Sequence, residues 1–116
     1  MLLRDVLLGH RASNTGHDLE NMVFLELLRR EYQVSSAETP KGEIDFYAQR
    51  GEETRYIQVA LSALEPDTLT RELRPFETLP TGSNCALITM DRLLLDTGAI
   101  PQLNAAEFLA GAELPF

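Results

Sequence analysis

The chain has 116 residues, a single cysteine, 44% hydrophobic residues and a formal net charge of −8. That length fits one domain with a real core; a lone cysteine excludes an internal disulfide and a zinc knuckle; and no apolar run approaches the roughly 20 residues of a membrane span. So acidic a chain repels nucleic acid at long range unless it carries a local basic patch, and the sequence offers none: Arg29 and Arg30 neighbour Glu26 and Glu31, and Arg71 and Arg74 share a helix with Glu72 and Glu77.

The start, MLLRDVLLGHRASN, mixes leucines with polar residues, and residues 1–15 are expected to be a loosely ordered segment ahead of a domain over 16–116. Its apolar beginning is broken at once by Arg4 and Asp5, unlike a signal peptide, so a cytoplasmic location is expected. The stretch TGHDLENMVFLELLRREY reads as a helix, with Thr15 as cap and Asp18 three residues on. It is apolar around most of its girth and should be largely buried. YQVSSAE follows as a strand and TPKG as a turn.

EIDFYAQ alternates with period two, Ile44, Phe46 and Ala48 on one face and Glu43, Asp45 and Tyr47 on the other. TRYIQVALS alternates again, Ile57, Val59 and Leu61 against Tyr56, Gln58, Ala60 and Ser62. A two-residue type II′ turn at Gly51–Glu52 pairs Arg50 with Glu53. Counting back sets Asp45 opposite Gln58 and Glu43 opposite Ala60, four side chains in one square.

EPDTLTRELRPFETL is the second helix, capped by Asp67 or Thr68 and ending or kinking near Arg74 because Pro75 interrupts it. NCALITM is apolar throughout, as a central strand should be, and places Cys85 in the core. GAIPQL is a short edge strand, since Pro101 cannot donate to a ladder. NAAEFLAG is a closing helix, with Asn104 as cap and Gly111 as stop. The order α, β, β, β, α, β, short β, α implies a mixed sheet between helix layers.

Two acids stand out. At about 100° per residue, Glu20 shares a helix face with Val23, Phe24 and Leu27, where a carboxylate is costly unless paired, capping or metal-bound. Asp45 projects beside Gln58. His10 and His17, seven residues apart, sit in a polar stretch and read as solvated. No Ser-His-Asp spacing, glycine-rich phosphate loop or aromatic-basic interleaving is present.

GHDLENMVFLELLRR, EIDF, YIQVA, TLTRELRPF, ALITMD and LNAAEFL, in that order, resemble the C-terminal domain of a large group of uncharacterised prokaryotic AAA-type ATPases. The resemblance runs from about Gly16 to Leu109. That domain is similar to the PD-(D/E)xK nuclease fold, a restriction-endonuclease-like three-layer α/β fold with core order αβββαβ. The resemblance implies that Glu20 matches the helix glutamate and Asp45 the motif aspartate of a Mg²⁺ site. Gln58 stands where the second acid belongs and Ala60 where the lysine belongs.

Gln58 keeps an oxygen ligand but loses a charge. Ala60 removes the cation, and Arg71 from the next helix is the candidate substitute, though arginine stays protonated and shuttles protons poorly. Glu20, Asp45 and Gln58 would therefore make at most a weak metal site, with no cofactor expected unless the nuclease reading holds.

The resemblance also implies an upstream ATPase domain as partner, and ATP binding would belong there, because this chain has no Walker motif. The expected function is a non-catalytic, nuclease-fold accessory or regulatory domain of such an ATPase, engaging a protein or nucleic acid and no membrane. The alternatives are a divergent Mg²⁺-dependent DNA endonuclease and a small-ligand sensor.

Overall fold

The computed structural model describes residues 15–93 and 100–114, with side chains from Gly16 onward. The segment 1–14 with His10, the Thr15 side chain and residues 98–99 of the expected edge strand lie outside the described residues. The elements are α1 (Thr15–Arg29), β1 (Gln33–Thr39), β2 (Gly42–Arg50), β3 (Glu53–Val59), α2 (Pro66–Leu73) running into a 3-10 turn (Arg74–Thr78), β4 (Cys85–Thr89), β5 (Gln102–Asn104) and α3 (Ala105–Leu109). The five strands lie in chain order in one sheet. β1, β2 and β3 are antiparallel neighbours, and β4 and β5 continue parallel to β3. This is a mixed α/β fold in three layers, with the expected core order αβββαβ.

Each face of the sheet has its own core. On one side Leu19, Val23 and Leu27 of α1 and Phe108 of α3 pack on Ala48, Ile57, Val59 and Ile88. On the other, Phe76 of the 3-10 turn packs with Ile44 and Cys85, flanked by Tyr56 and Leu73. β4 is buried at every position, as its apolar sequence requires of a strand covered on both faces. No helix among the described residues is long and apolar enough to cross a membrane.

Sequence patterning set most of the local geometry. The β2–β3 hairpin turns at Gly51 with φ of 60°, and Arg50 pairs with Glu53 as the two-residue turn demands. Asn104 caps α3, its side chain accepting the Glu107 N–H at 3.1 Å, and Gly111 follows the helix at φ 115°. α1 ends in a Schellman arrangement: the Tyr32 N–H bonds Leu27 O at 3.1 Å and the Glu31 N–H bonds Leu28 O at 2.9 Å. It does so with Glu31, not glycine, in the left-handed region at φ 69°.

Three expectations need correction. β2 does not alternate evenly, because pairing with β1 passes from Ser35↔Tyr47 to Ala37↔Ile44 and so inserts one extra residue at Asp45–Phe46. The bulge puts Ile44 in the core beneath the 3-10 turn, while Phe46 and Ala48 face α1. β3 stops at Val59, and Leu61 is 41% exposed instead of continuing the core face. Finally, α2 begins at Pro66 after Glu65, with no side-chain cap from Asp67 or Thr68. Proline supplies the first-turn geometry directly, because its fixed φ suits that position and the N–H it lacks has no helical partner there.

Candidate functional site

The β2–β3 ladder ends at Phe46↔Ile57. Beyond it the bulge carries β2 away from β3, leaving backbone groups to be satisfied by other means. Asp45 and Gln58 do this reciprocally. The Asp45 N–H donates to Gln58 Oε1 at 2.7 Å, and the Val59 N–H donates to Asp45 Oδ2 at 2.9 Å. Gln58 Nε2 then donates to the carbonyl of Glu72, in the last turn of α2, at 3.0 Å, and to the Glu43 carbonyl at 3.4 Å. Gln58 is 4% exposed. Its amide thus ties β2, β3 and α2 together, and the partners fix its orientation: an N–H must meet the oxygen, and carbonyls must meet the nitrogen.

Glu20 approaches from the other layer. One turn further along α1, the Phe24 ring stacks on Phe46, the residue after Asp45, at 6.0 Å between centroids. The buried stripe of α1 runs through Leu19, Val23, Glu26 and Leu27, so Glu20 lies at its half-buried rim, not at its centre. Burial raises the Glu20 carboxyl above its ordinary value, and repulsion from Asp45 and Glu43 raises it further, with His17 opposing. Asp45 is raised by burial and by Glu43, against the lowering effect of the Val59 N–H.

Glu72, which sequence reasoning overlooked, belongs to the same group. Burial raises it, as do the charges of Asp45 and Glu20, while Arg71 lowers it. A signal was available: Glu72 follows Leu69 by three residues and precedes Phe76 by four, so it shares their helical face. Asp91 was overlooked too. It is buried, its Oδ2 holds the Ala63 N–H at 2.8 Å, and it thereby fixes the turn after β3.

The expected square of four side chains is half formed. Asp45 and Gln58 meet, but Glu43 pairs with Glu38 of β1 and is exposed, and Ala60 bonds backward to β4 through its N–H to Ile88 O at 3.0 Å. Ala60 and Arg71 instead line an open cavity of about 480 Å³ with Gly16, Ser62 and Glu72. His17 is exposed.

The residues that would hold Mg²⁺ do not fit it as arranged. A small hard cation needs several oxygens converging in near-octahedral geometry. Here Gln58 Oε1 and Asp45 Oδ2 are engaged by backbone N–H groups. Among the described residues, no three His, Cys, Asp or Glu side chains are grouped to hold one ion. Cys85 is buried, and burial pushes its thiol up to about 11, which suits a core residue and not a nucleophile.

An uncharacterized protein of Haemophilus influenzae is 43% identical to this chain over 63 residues, which is 54% of this chain and 16% of that protein. No family model and no solved structure matches the chain.

Proposed function

We propose that this is a nuclease-fold domain whose hydrolytic site has become a structural joint, serving as a non-catalytic accessory or regulatory domain of a cytoplasmic AAA-type ATPase. The observation that carries the proposal is the hydrogen bonding of Gln58. A metal site of the PD-(D/E)xK kind wants a carboxylate there. A carboxylate has no N–H to give the Glu72 and Glu43 carbonyls and would face them as a buried charge. The position therefore does work that the ancestral acid could not do. Ala60, in the lysine position, offers no cation, and Arg71 is exposed at the cavity rim. In this reading the domain engages a protein or nucleic-acid partner, and nucleotide hydrolysis lies in an upstream domain.

The second reading, a divergent Mg²⁺-dependent endonuclease, draws on the upward-shifted carboxyls of Glu20, Asp45 and Glu72, because such acids cluster at catalytic sites. The test is incubation of the purified chain with single-stranded, double-stranded and branched DNA in Mg²⁺ or Mn²⁺. No cleavage above background is expected. Cleavage that vanishes in Asp45→Asn, which keeps an acceptor for the Val59 N–H, would establish the endonuclease instead.

A further inference from the structure

The sheet treats its two edges differently. β5 is three residues long, follows Pro101 and runs directly into α3, a short edge of the kind that discourages pairing with another chain. β1 is seven residues long, QVSSAET, with no lysine, proline or glycine, and Glu38 is its one charged residue. Ser35, Ser36 and Glu38 are exposed.

The register fixes where the backbone groups of β1 point. A two-residue turn makes Thr39 and Gly42 a hydrogen-bonded pair, and alternate residues of a strand point their N–H and C=O the same way. Thr39 and Ala37 therefore bond β2. The turn between Arg50 and Glu53 commits Arg50 and Ala48 to β3, which leaves Gln49 and Tyr47 to bond Gln33 and Ser35. The bulge lies in β2, so the alternation runs through β1 unbroken. Val34, Ser36 and Glu38 thus turn a donor and an acceptor each away from the sheet, and no hydrogen bond among the described residues meets them.

That row is complementary to itself. Antiparallel pairing of two copies about a twofold axis at Ser36 sets Ser36 opposite Ser36, Val34 opposite Glu38, and Ser35 opposite Ala37. Every outward donor then meets an outward acceptor. Glu38 faces valine, whereas parallel in-register pairing would set the two copies of Glu38 side by side. Val34 packs on the core beneath α1, so the axis keeps the α1 layers of both copies on one side of the joined sheet.

We infer that β1 is a dimer edge, through which two copies of this chain pair antiparallel and join their sheets. The inference is independent of the proposed function, since it uses neither Asp45 nor Gln58.

Sedimentation equilibrium of the full chain up to about 1 mM should show a monomer–dimer equilibrium. The charge of −8 on each copy opposes association, so added salt should tighten the dimer several-fold. Ser36→Pro removes an N–H that the monomer does not use, at an edge position where proline is tolerated. It should weaken the dimer about tenfold or more, because each copy loses one bond. Cysteine substitutions read the register separately, and decide alone should Ser36→Pro fail to fold; the native Cys85 is buried. Hydrogen-bonded antiparallel partners have Cα atoms about 5.5 Å apart, within disulfide reach. Ser36→Cys should therefore give an intermolecular disulfide on mild oxidation. Glu38→Cys, whose two copies would lie about 14 Å apart along the strands, should give far less. A chain that stays monomeric at about 1 mM, a folded Ser36→Pro that dimerises as wild type does, or equal yields from the two cysteines would each overturn the inference.

Discussion

The two ends of the molecule treat their carboxylates in opposite ways. Around the α1 C-terminus and the hairpin, every acid in the network has its cation. Glu26, buried on α1, takes Arg29 at 2.6 Å and Arg30 at 2.7 Å, and Glu53 takes Arg50 and Arg55. The Arg29 hydrogen bond, with Arg30 assisting against the cost of burial, holds the Glu26 carboxyl down at about 2. Arg50 and then Arg55 lower Glu53. The guanidiniums of Arg30 and Arg50 also lie over the rings of Phe108 and Tyr32, at 4.3 and 4.4 Å. At the other end, burial pushes up Glu20, Asp45 and Glu72; repulsion from Asp45 adds to the rise at Glu20 and Glu72, and repulsion from Glu43 adds to it at Asp45. The lesson is that burial alone does not set a carboxyl: Glu26 and Glu53, bonded to guanidiniums, are held down, and Glu20, Asp45 and Glu72, without such a bond among the described residues, are pushed up.

The sharpest way to break this comparison is to place an acid at position 58. Gln58→Glu removes both amide donations and adds a buried charge beside Asp45, and should cost about 3–5 kcal/mol at neutral pH. Part of that loss should return in mild acid, when the new carboxyl can donate one bond. Urea unfolding at two pH values measures it.

Glu26→Gln should cost about 1–3 kcal/mol at neutral pH, by leaving Arg29 and Arg30 without their anion. The sign at acid pH follows from the lowered carboxyl. Stability from Glu26 is present above its ordinary value of 4.5 and lost as pH falls toward about 2, so the gap between variant and wild type should close over that window. A gap that persisted at the lower limit would contradict the pairing account.

Glu31→Gly should raise stability by about 1 kcal/mol, because the left-handed conformation at φ 69° strains a side chain and suits glycine. The smallest effect is expected at the acid-rich end. Glu20 has a raised carboxyl, so its ionisation works against folding as pH rises above 4.5, with the full cost reached above the raised value. Glu20→Gln should therefore gain about 0.5 kcal/mol at neutral pH and nothing below pH 4.5, where wild-type Glu20 is protonated as well. Thermal unfolding as a function of pH reads both variants.

The hairpin register was legible because a glycine turn and two alternating strands constrain each other. The central strand, the α3 cap and the three-layer order were legible for similar local reasons. The bulge at Asp45–Phe46 was not, since neither residue is a glycine or proline that would announce it. Without the bulge, even alternation puts Ile44 on the wrong face. The role of Gln58 was equally hidden. Sequence placed it beside Asp45, but nothing local says that its amide reaches the end of α2 in the adjoining layer. Glu72 was within reach of the same helical-face argument that singled out Glu20, and Pro66 at the start of α2 was the signal that no side-chain cap was needed.

Among the described residues, the acids at the Asp45 end have no arginine or lysine bonded to them and are not grouped to hold a metal. Carbon-detected NMR titration of the side-chain carboxyls, with and without millimolar Mg²⁺, tests that claim most directly. The prediction is that Glu20, Asp45 and Glu72 titrate above their ordinary values, that Glu26 titrates near 2, and that Mg²⁺ moves none of the four. A downward shift of Asp45 and Glu20 together on adding Mg²⁺, with Glu26 unmoved, would contradict it and mean that the site still holds a metal.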